Sequence, residues 1–416
     1  MKAIQILGGR KLDGKIKIES AKNSVLALLS ASILTKEEVV IENCPKIQDV
    51  ISMLEILAYL GVNSRFENDN LIVNAKTLKG YCVPEKYTKK LRASIYFMGA
   101  LCGVVGRSKI SLPGGCDIGD RPIDLHISSL EQIGCNVSVD DNQTICQRVK
   151  NKDAEILLKF PSVGATINVI LASALGKNKT IINNVAKEPE IVDLANFINS
   201  MGGKIVGAGT SRLEIQGVKR LHGTEYKPIP DRIEFGTYLL ATAITCGKTQ
   251  FDNVNLKNVD ILVNKILNNS CHIYKKNDII YTKFENLGGA RSFATGPYPD
   301  FPTDLQPQTT AYLSVCDGCS VVKETLFEKR FSFVTELSKM GADIKIKDNV
   351  AFINGVKNLY GKRVVATDLR GGASLLIAGL KAQGQTVVQG VEHIERGYYN
   401  IHDKLLNLGA DIKLIT

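Results

Sequence analysis

No stretch of the sequence is apolar for long enough to cross a membrane. The longest candidate, "VLALLSASIL" at 25–34, covers about half of a span, which predicts a buried helix. The opening residues "MKAIQILGGRKLDGKIKIES" are charged throughout, so they do not read as a secretory leader. Ten cysteines without such a leader argue for free thiols in a reducing, cytoplasmic setting, not for disulfides. For nine of them the expected role is that of a small core hydrophobe. Long basic runs and basic–aromatic interleaving are lacking as well. The net charge of +10 therefore points to small anionic ligands and away from nucleic acid.

Several familiar chemistries fail for want of a part. Cys316 and Cys319 form one C-x-x-C, but no second pair and no suitably spaced histidines complete a zinc site. "TCGKT" at 245–249 has Thr242 where a phosphate-binding loop needs its first glycine, and a helix precedes it where a strand is required. "GGKIVGAG" at 202–209 follows a helix, so it is no dinucleotide fingerprint. The histidines at 126, 222, 272, 393 and 402 show no catalytic spacing, which predicts structural roles.

What the chain does contain is a repeat. An apolar helix end, a small residue and a short strand recur as "LAYLGVNSRF", "LEQIGCNVSV", "INSMGGKIVG", "ILNNSCHIYK", "LSKMGADIKI" and "LNLGADIKLI". The turn residues Gly61, Gly134, Gly202, Ser270, Gly341 and Gly409 are 68 to 73 residues apart, and glycine suits a left-handed helix end. A second phrase interleaves with the first: a helix rich in small residues, a polar turn and an alternating strand, as in "LASALGKNKTIINNV" and "IAGLKAQGQTVVQGV". Small residues let helices pack closely, and alternation gives each strand one wet face. Six α/β units in two groups of three follow, parting near "YKPIPDRIEFG" at 226–236. The expected arrangement is two similar globules with a ligand cleft between them.

Five segments carry charge where loops or helix starts are expected. "ESAKN" places Lys22 and Asn23 ahead of the first helix, where a lysine and backbone amides can hold phosphate. "FPTDLQPQ" sets Asp304 between prolines, "FEKRF" and "TDLRGGAS" supply Arg330 and Arg370, and "HIERGYYN" supplies Arg396. Together these arginines suit a multiply charged anion, because guanidinium forks match carboxylate and phosphate. "SLPGGCDIGDRP" at 111–122 sets Cys116 in a glycine-rich turn. By itself that turn leaves open a nucleophile, a general acid, a metal ligand or an idle thiol.

These segments carry a family resemblance. "SAKN", "RAS", "SLPGGCDIGDRPIDLH", "PSVGAT", "EPEIVDLANFI", "PDRIE", "FPTDLQPQ", "ATDLRGGASL" and "HIERGY" run nearly end to end. The chain resembles the UDP-N-acetylglucosamine 1-carboxyvinyltransferase family of enolpyruvyl transferases. The resemblance implies two inside-out α/β barrels of three units each: a first domain over 20–230, holding the Cys116 loop at 111–122, and a second built from 1–19 and 231–416. It also implies transfer of an enolpyruvyl group from phosphoenolpyruvate to the sugar 3′-hydroxyl, opening peptidoglycan synthesis. Lys22 and Asn23 match the phosphoenolpyruvate contacts, with Arg121 and Arg396 on the phosphate and Arg330 and Arg370 near the carboxylate. Arg92, Arg121, Pro122, Ile123, Asp124, Leu125, Ser162, Val163, Gly164, Asp304 and Leu326 match the UDP-sugar contacts.

The same resemblance makes Cys116 the proton donor to C3 and the target of an epoxide such as fosfomycin. It makes Asp304 the base or hydroxyl-orienting group, and Asp368 an aid to cation placement or proton traffic. It implies no metal, no organic cofactor, no membrane and no obligate protein partner. Two departures stand out: Phe160 where a basic residue is common, and Lys329 beside Arg330 where asparagine is common. The alternatives are a 5-enolpyruvylshikimate-3-phosphate synthase, which would not need the cysteine, and a non-catalytic UDP-sugar-binding paralogue.

Overall fold

The structure is a computed structural model that describes every residue except Met1, Cys116, Asp117, Asp141, Asn268, Asn269 and Thr416. The chain divides into two compact units. One comprises 1–19, 116–120 and 230–416, and the other 20–115 and 121–229.

The described residues form six four-stranded sheets, three in each unit. All six share one pattern, a parallel pair followed by two antiparallel neighbours. In one, Cys82–Val83 runs parallel to Arg107–Ser111, which pairs antiparallel with Gln143–Arg148 and then with Cys135–Asp140. The strands alternate in burial, as in Cys319–Lys323, whose second and fourth residues are buried. This is the one-wet-face strand that the sequence pattern predicts.

The sheets surround helices that are buried on almost every side. In the unit starting at residue 20 these are Lys22–Ala31, Tyr96–Val105 and Val163–Ser173. Their counterparts in the other unit are Arg232–Ile244, Gln306–Leu313 and Leu369–Lys381. A helix hydrophobic all round, such as Tyr96–Val105, belongs in an interior, whereas Gln306–Leu313 is buried despite its glutamines and threonines. The small residues explain how closely the helices of the unit starting at residue 20 pack. A Cβ added at Gly99 would stand 2.2 Å from the Asn168 carbonyl oxygen, and one at Gly103 would stand 2.6 Å from that of Leu171. No helix among the described residues is long and apolar enough to cross a membrane.

The repeat's turn glycines behave as their spacing predicts. Gly61, Gly134, Gly202, Gly341 and Gly409 take φ between 81° and 95°, the left-handed region that a side chain enters only at a cost. Ser270 forms the sixth turn.

Two of the sheets in the unit holding the C-terminus draw on the N-terminal residues. Ala3–Leu7 lies between Gln385–Gln389 and Asp411–Ile415 as an inner strand, and Asp13–Lys17 adds a parallel edge to Lys248–Asp252. The other unit is closed from the opposite direction, where Thr224–Tyr226 runs parallel to Glu38–Ile41.

Candidate active site

In the unit starting at residue 20, Lys22 and Asn23 lie within the first turn of the helix Lys22–Ala31, not ahead of it as the sequence suggests. Ala21 cannot cap with a side chain. Its N–H donates to the Ile229 carbonyl at 2.7 Å, and Val25 N–H donates back to Ala21 at 2.9 Å, so a long-range contact sets the start. Lys22 Nζ stands 2.8 Å from Asp49 Oδ2, and both side chains are buried. The same turn is anchored by Asp193, which binds the Ser24 hydroxyl and also takes the Tyr226 hydroxyl at 2.6 Å and Ile229 N–H at 3.2 Å.

Arg92 donates to the Arg121 carbonyl, and an added Cβ at Gly115 would stand 3.2 Å from Arg121 Nη2. Burial, and then the charge of Arg121, push the Arg92 pKa down to about 10. Two half-buried cations so close repel each other, and an anion beside them would relieve the repulsion. Pro122 and Ile123 lead into the helix Asp124–Gln132, whose first two residues are Asp124 and Leu125.

Ser162 caps the helix Val163–Ser173, its Oγ accepting from Ala165 N–H at 3.3 Å. The exposed amides of such a helix start favour an anion. Gly164 is required there by His126, since an added Cβ would meet the ring at 2.7 Å. Asn168 Oδ1 accepts from Gly99 N–H at 2.7 Å, so its amide nitrogen donates to His126 Nδ1, also at 2.7 Å. The ring therefore carries its proton on Nε2. Burial, followed by Arg92, lowers the His126 pKa to about 4, so the ring is neutral at pH 7. Phe160 is exposed.

The other unit holds a carboxylate gripped by two guanidinium groups. Asp304 lies in the short helix Thr303–Leu305 that enters Gln306–Leu313. Its Oδ1 accepts from Arg330 Nη2 at 2.9 Å and its Oδ2 from Arg370 Nη2 at 3.0 Å. Arg330 also donates to the Thr303 carbonyl from Nε and Nη2, at 3.2 and 3.0 Å. Arg370 packs over the Tyr398 ring, 5.3 Å from its centroid. Burial pulls the Arg370 pKa down, yet Tyr398, Asp304 and Asp231 together hold it above the ordinary guanidinium value.

Asp368 starts the helix Leu369–Lys381, with Oδ1 accepting from the N–H groups of Arg370 and Gly371, each at 3.0 Å. Its Oδ2 is buried with no hydrogen-bond partner among the described residues, which is costly unless a ligand or water completes it. Arg396 ends the short helix Val391–Glu395 and is half-buried. Residues 118–120 pack on the segment that leads to Arg330: Asp120 N–H donates to Glu328 at 3.2 Å, and Lys329 N–H donates to the Ile118 carbonyl at 3.1 Å.

A family model for EPSP synthase (3-phosphoshikimate 1-carboxyvinyltransferase) matches residues 6–405. The chain belongs to this family. Within it, the chain is 46% identical over 413 residues to the UDP-N-acetylglucosamine 1-carboxyvinyltransferase 2 of Caldanaerobacter subterraneus subsp. tengcongensis, covering 99% of both chains. It is 43% identical to the UDP-N-acetylglucosamine 1-carboxyvinyltransferase of Thermotoga maritima, covering 100% of this chain and 99% of that one. The enolpyruvyl transferase NikO of Streptomyces tendae shares the fold, with a TM-score of 0.88 at 22% identity over 100% of this chain and 99% of its own. EPSP synthase of Acinetobacter baumannii shares it at a TM-score of 0.75 and 16% identity, with both chains fully covered.

Membership in this family of enolpyruvyl transferases gives the charged groups of each unit a chemistry to account for. Asp304, Arg330, Asp368 and Arg370 are brought into one cluster, and Ser162, Val163 and Gly164 into one helix start beside His126. Cys116 lies outside the described residues. Sequence reasoning missed the groups that set these side chains in place. Asp49 partners Lys22, while buried Glu324 binds the hydroxyls of Thr295 and Thr303 and the N–H groups of Leu326 and Phe327 at 2.8 to 3.3 Å. "KETLF" carries no signal of the bonds to Thr295 and Thr303, which lie 29 and 21 residues away.

Proposed function

We infer that the protein transfers the enolpyruvyl group of phosphoenolpyruvate to the 3′-hydroxyl of UDP-N-acetylglucosamine. The observation that carries this is full-length identity of 43–46% to transferases named for that acceptor. Solved EPSP synthases match at 15–16%. The carboxylate-and-guanidinium cluster around Asp304 supports catalysis, since simple capture of a nucleotide sugar needs no such cluster.

In the proposed reaction the sugar hydroxyl attacks C2 of phosphoenolpyruvate while C3 takes a proton from Cys116. The tetrahedral intermediate then gives up a C3 proton and inorganic phosphate, leaving the enol ether. Asp304, with each oxygen already held by one arginine, has lone pairs left for the attacking hydroxyl. Arg330 and Arg370 bear on the substrate carboxylate. Lys22, Asn23, Arg121 and Arg396 hold the phosphate, and their fixed charges stabilise the charge that develops there. Arg92, the segment from Arg121 to Leu125, the helix start at Ser162–Gly164 and Leu326 receive the nucleotide sugar. Asp368 fixes Arg370 by capping its helix. The enzyme works in the cytoplasm, where its thiols stay reduced.

Phosphate release decides the acceptor. Release with UDP-N-acetylglucosamine and none with shikimate 3-phosphate is the expected result; the reverse pattern makes the protein an EPSP synthase, and release with neither makes it a binding protein. Cys116→Ala is expected to lose turnover while still binding the nucleotide sugar by calorimetry. Normal turnover in that variant would remove the proton-donor role.

A further inference from the structure

Three cysteines that no proposed step uses converge inside the unit starting at residue 20. Cys102 lies on the helix Tyr96–Val105, Cys135 begins the strand Cys135–Asp140, and Cys146 lies on its neighbour Gln143–Arg148. Cys146 stands opposite Val137 in the ladder, so Cys135 and Cys146 are diagonal neighbours on the sheet face that meets the helix. Cys102 Sγ is 3.4 Å from Cys135 Sγ and 3.6 Å from Cys146 Sγ, and all three sulfurs lie within 4.8 Å of one another. All three residues are buried.

Thiols used only as small hydrophobes have no reason to gather a cation, yet one is present. Arg148 stands opposite Cys135 in the ladder and is half-buried, with Nη2 donating to the Ala172 carbonyl at 2.6 Å. Arg148 therefore sets a counter-charge beside sulfurs that would be buried as thiolates.

We propose that Cys102, Cys135 and Cys146 form a three-sulfur site for one thiophilic metal ion of the Cu(I) class. An ion with metal–sulfur distances of about 2.3 Å in trigonal coordination needs sulfurs about 4.0 Å apart. The two short edges here have only to open by a few tenths of an ångström. Soft thiolate ligands select Cu(I) and zinc. Zinc in structural sites takes four ligands, and no fourth His, Cys, Asp or Glu among the described residues joins these three. Each thiol that ligates releases its proton to solvent. The bound ion ties the helix that follows Arg92 to two neighbouring strands of one sheet, the inner strand Gln143–Arg148 and the edge strand Cys135–Asp140.

The test uses the full chain, reduced and kept free of oxygen, titrated with Cu(I) held by a chromogenic chelator. The wild type is expected to withdraw one Cu(I) that Cys135→Ala and Cys146→Ala bind about tenfold or more weakly, with Cys319→Ser unaffected. Added Cu(I) is expected to raise the melting temperature of the wild type and not of the two alanine variants. X-ray absorption on the wild type is expected to find three sulfur neighbours at one distance. It also decides the matter should circular dichroism show that the alanine variants do not fold. Equal uptake by folded variants, a copper ion with two sulfurs or mixed ligands, or a disulfide among these cysteines in protein isolated under argon would each overturn the site.

Discussion

Asp304 is the residue on which the proposed chemistry depends most. Both of its oxygens are engaged by buried guanidinium groups, so its position is fixed before any substrate arrives. Asp304→Asn keeps the shape and removes the charge; a fall in kcat of about a hundredfold or more is expected, with little change in nucleotide-sugar affinity. A kcat within a few-fold of wild type would relieve Asp304 of that role. His126 offers a separate test through pH. Its pKa is about 4 when folded and about 6.5 when unfolded, so the unfolded chain binds the extra proton between those values. Stability from this group is thus complete above about pH 6.5 and is lost as pH falls toward 4. Between pH 7 and pH 5 the wild type is expected to lose about 2 kcal/mol more than His126→Gln, read from urea unfolding at both pH values.

Helix starts and helix crossings set where these residues stand. Asp231 caps Arg232–Ile244 by accepting from Ile233 and Glu234 N–H groups at 2.8 and 2.9 Å, and Ser162 and Asp368 serve the same purpose on two other helices. At Gly99, by contrast, the constraint is room. Gly99→Ala would drive a methyl group into the Asn168 backbone and displace the amide that orients His126. A loss of about 1–3 kcal/mol is expected, and unchanged thermal unfolding would show that the crossing can yield. The helices, their glycine ends and the alternating strands were legible in the sequence, since each follows from short-range periodicity. The start of the helix at Lys22 was not, because Ile229, remote in the chain, supplies the bond that fixes it.

At the scale of the whole molecule, one unit is built from both ends of the chain. Removing residues 2–12 takes away the inner strand Ala3–Leu7 and both of its ladders. The truncated chain is expected to lose the fold of that unit, seen as rapid proteolysis of residues beyond 230. Lys404 also ties this unit to its N-terminal segment, with Nζ 2.8 Å from Glu19 and 2.7 Å from Glu234. Burial raises the Glu234 pKa to about 7 against the pull of Lys404. Lys404→Met leaves that carboxyl buried and unpaired, at an expected cost of about 3 kcal/mol. A carboxyl whose pKa is raised on folding is better tolerated when protonated, so the loss is expected to be smaller near pH 5 than near pH 8.

The sequence by itself determined the six-fold α/β repeat, the turn glycines, the motifs that mark an enolpyruvyl transferase and the residues to suspect. All of these are written in spacings of a few residues or in contiguous words. Only the tertiary structure decided that Asp304 lies between Arg330 and Arg370, that Glu324 and Asp49 stand behind the suspected residues, and that three cysteines meet around one point. Cys102, Cys135 and Cys146 come from a helix and two strands, and no spacing rule joins them. Their proximity follows from strand register and helix packing, which depend on the whole buried interior.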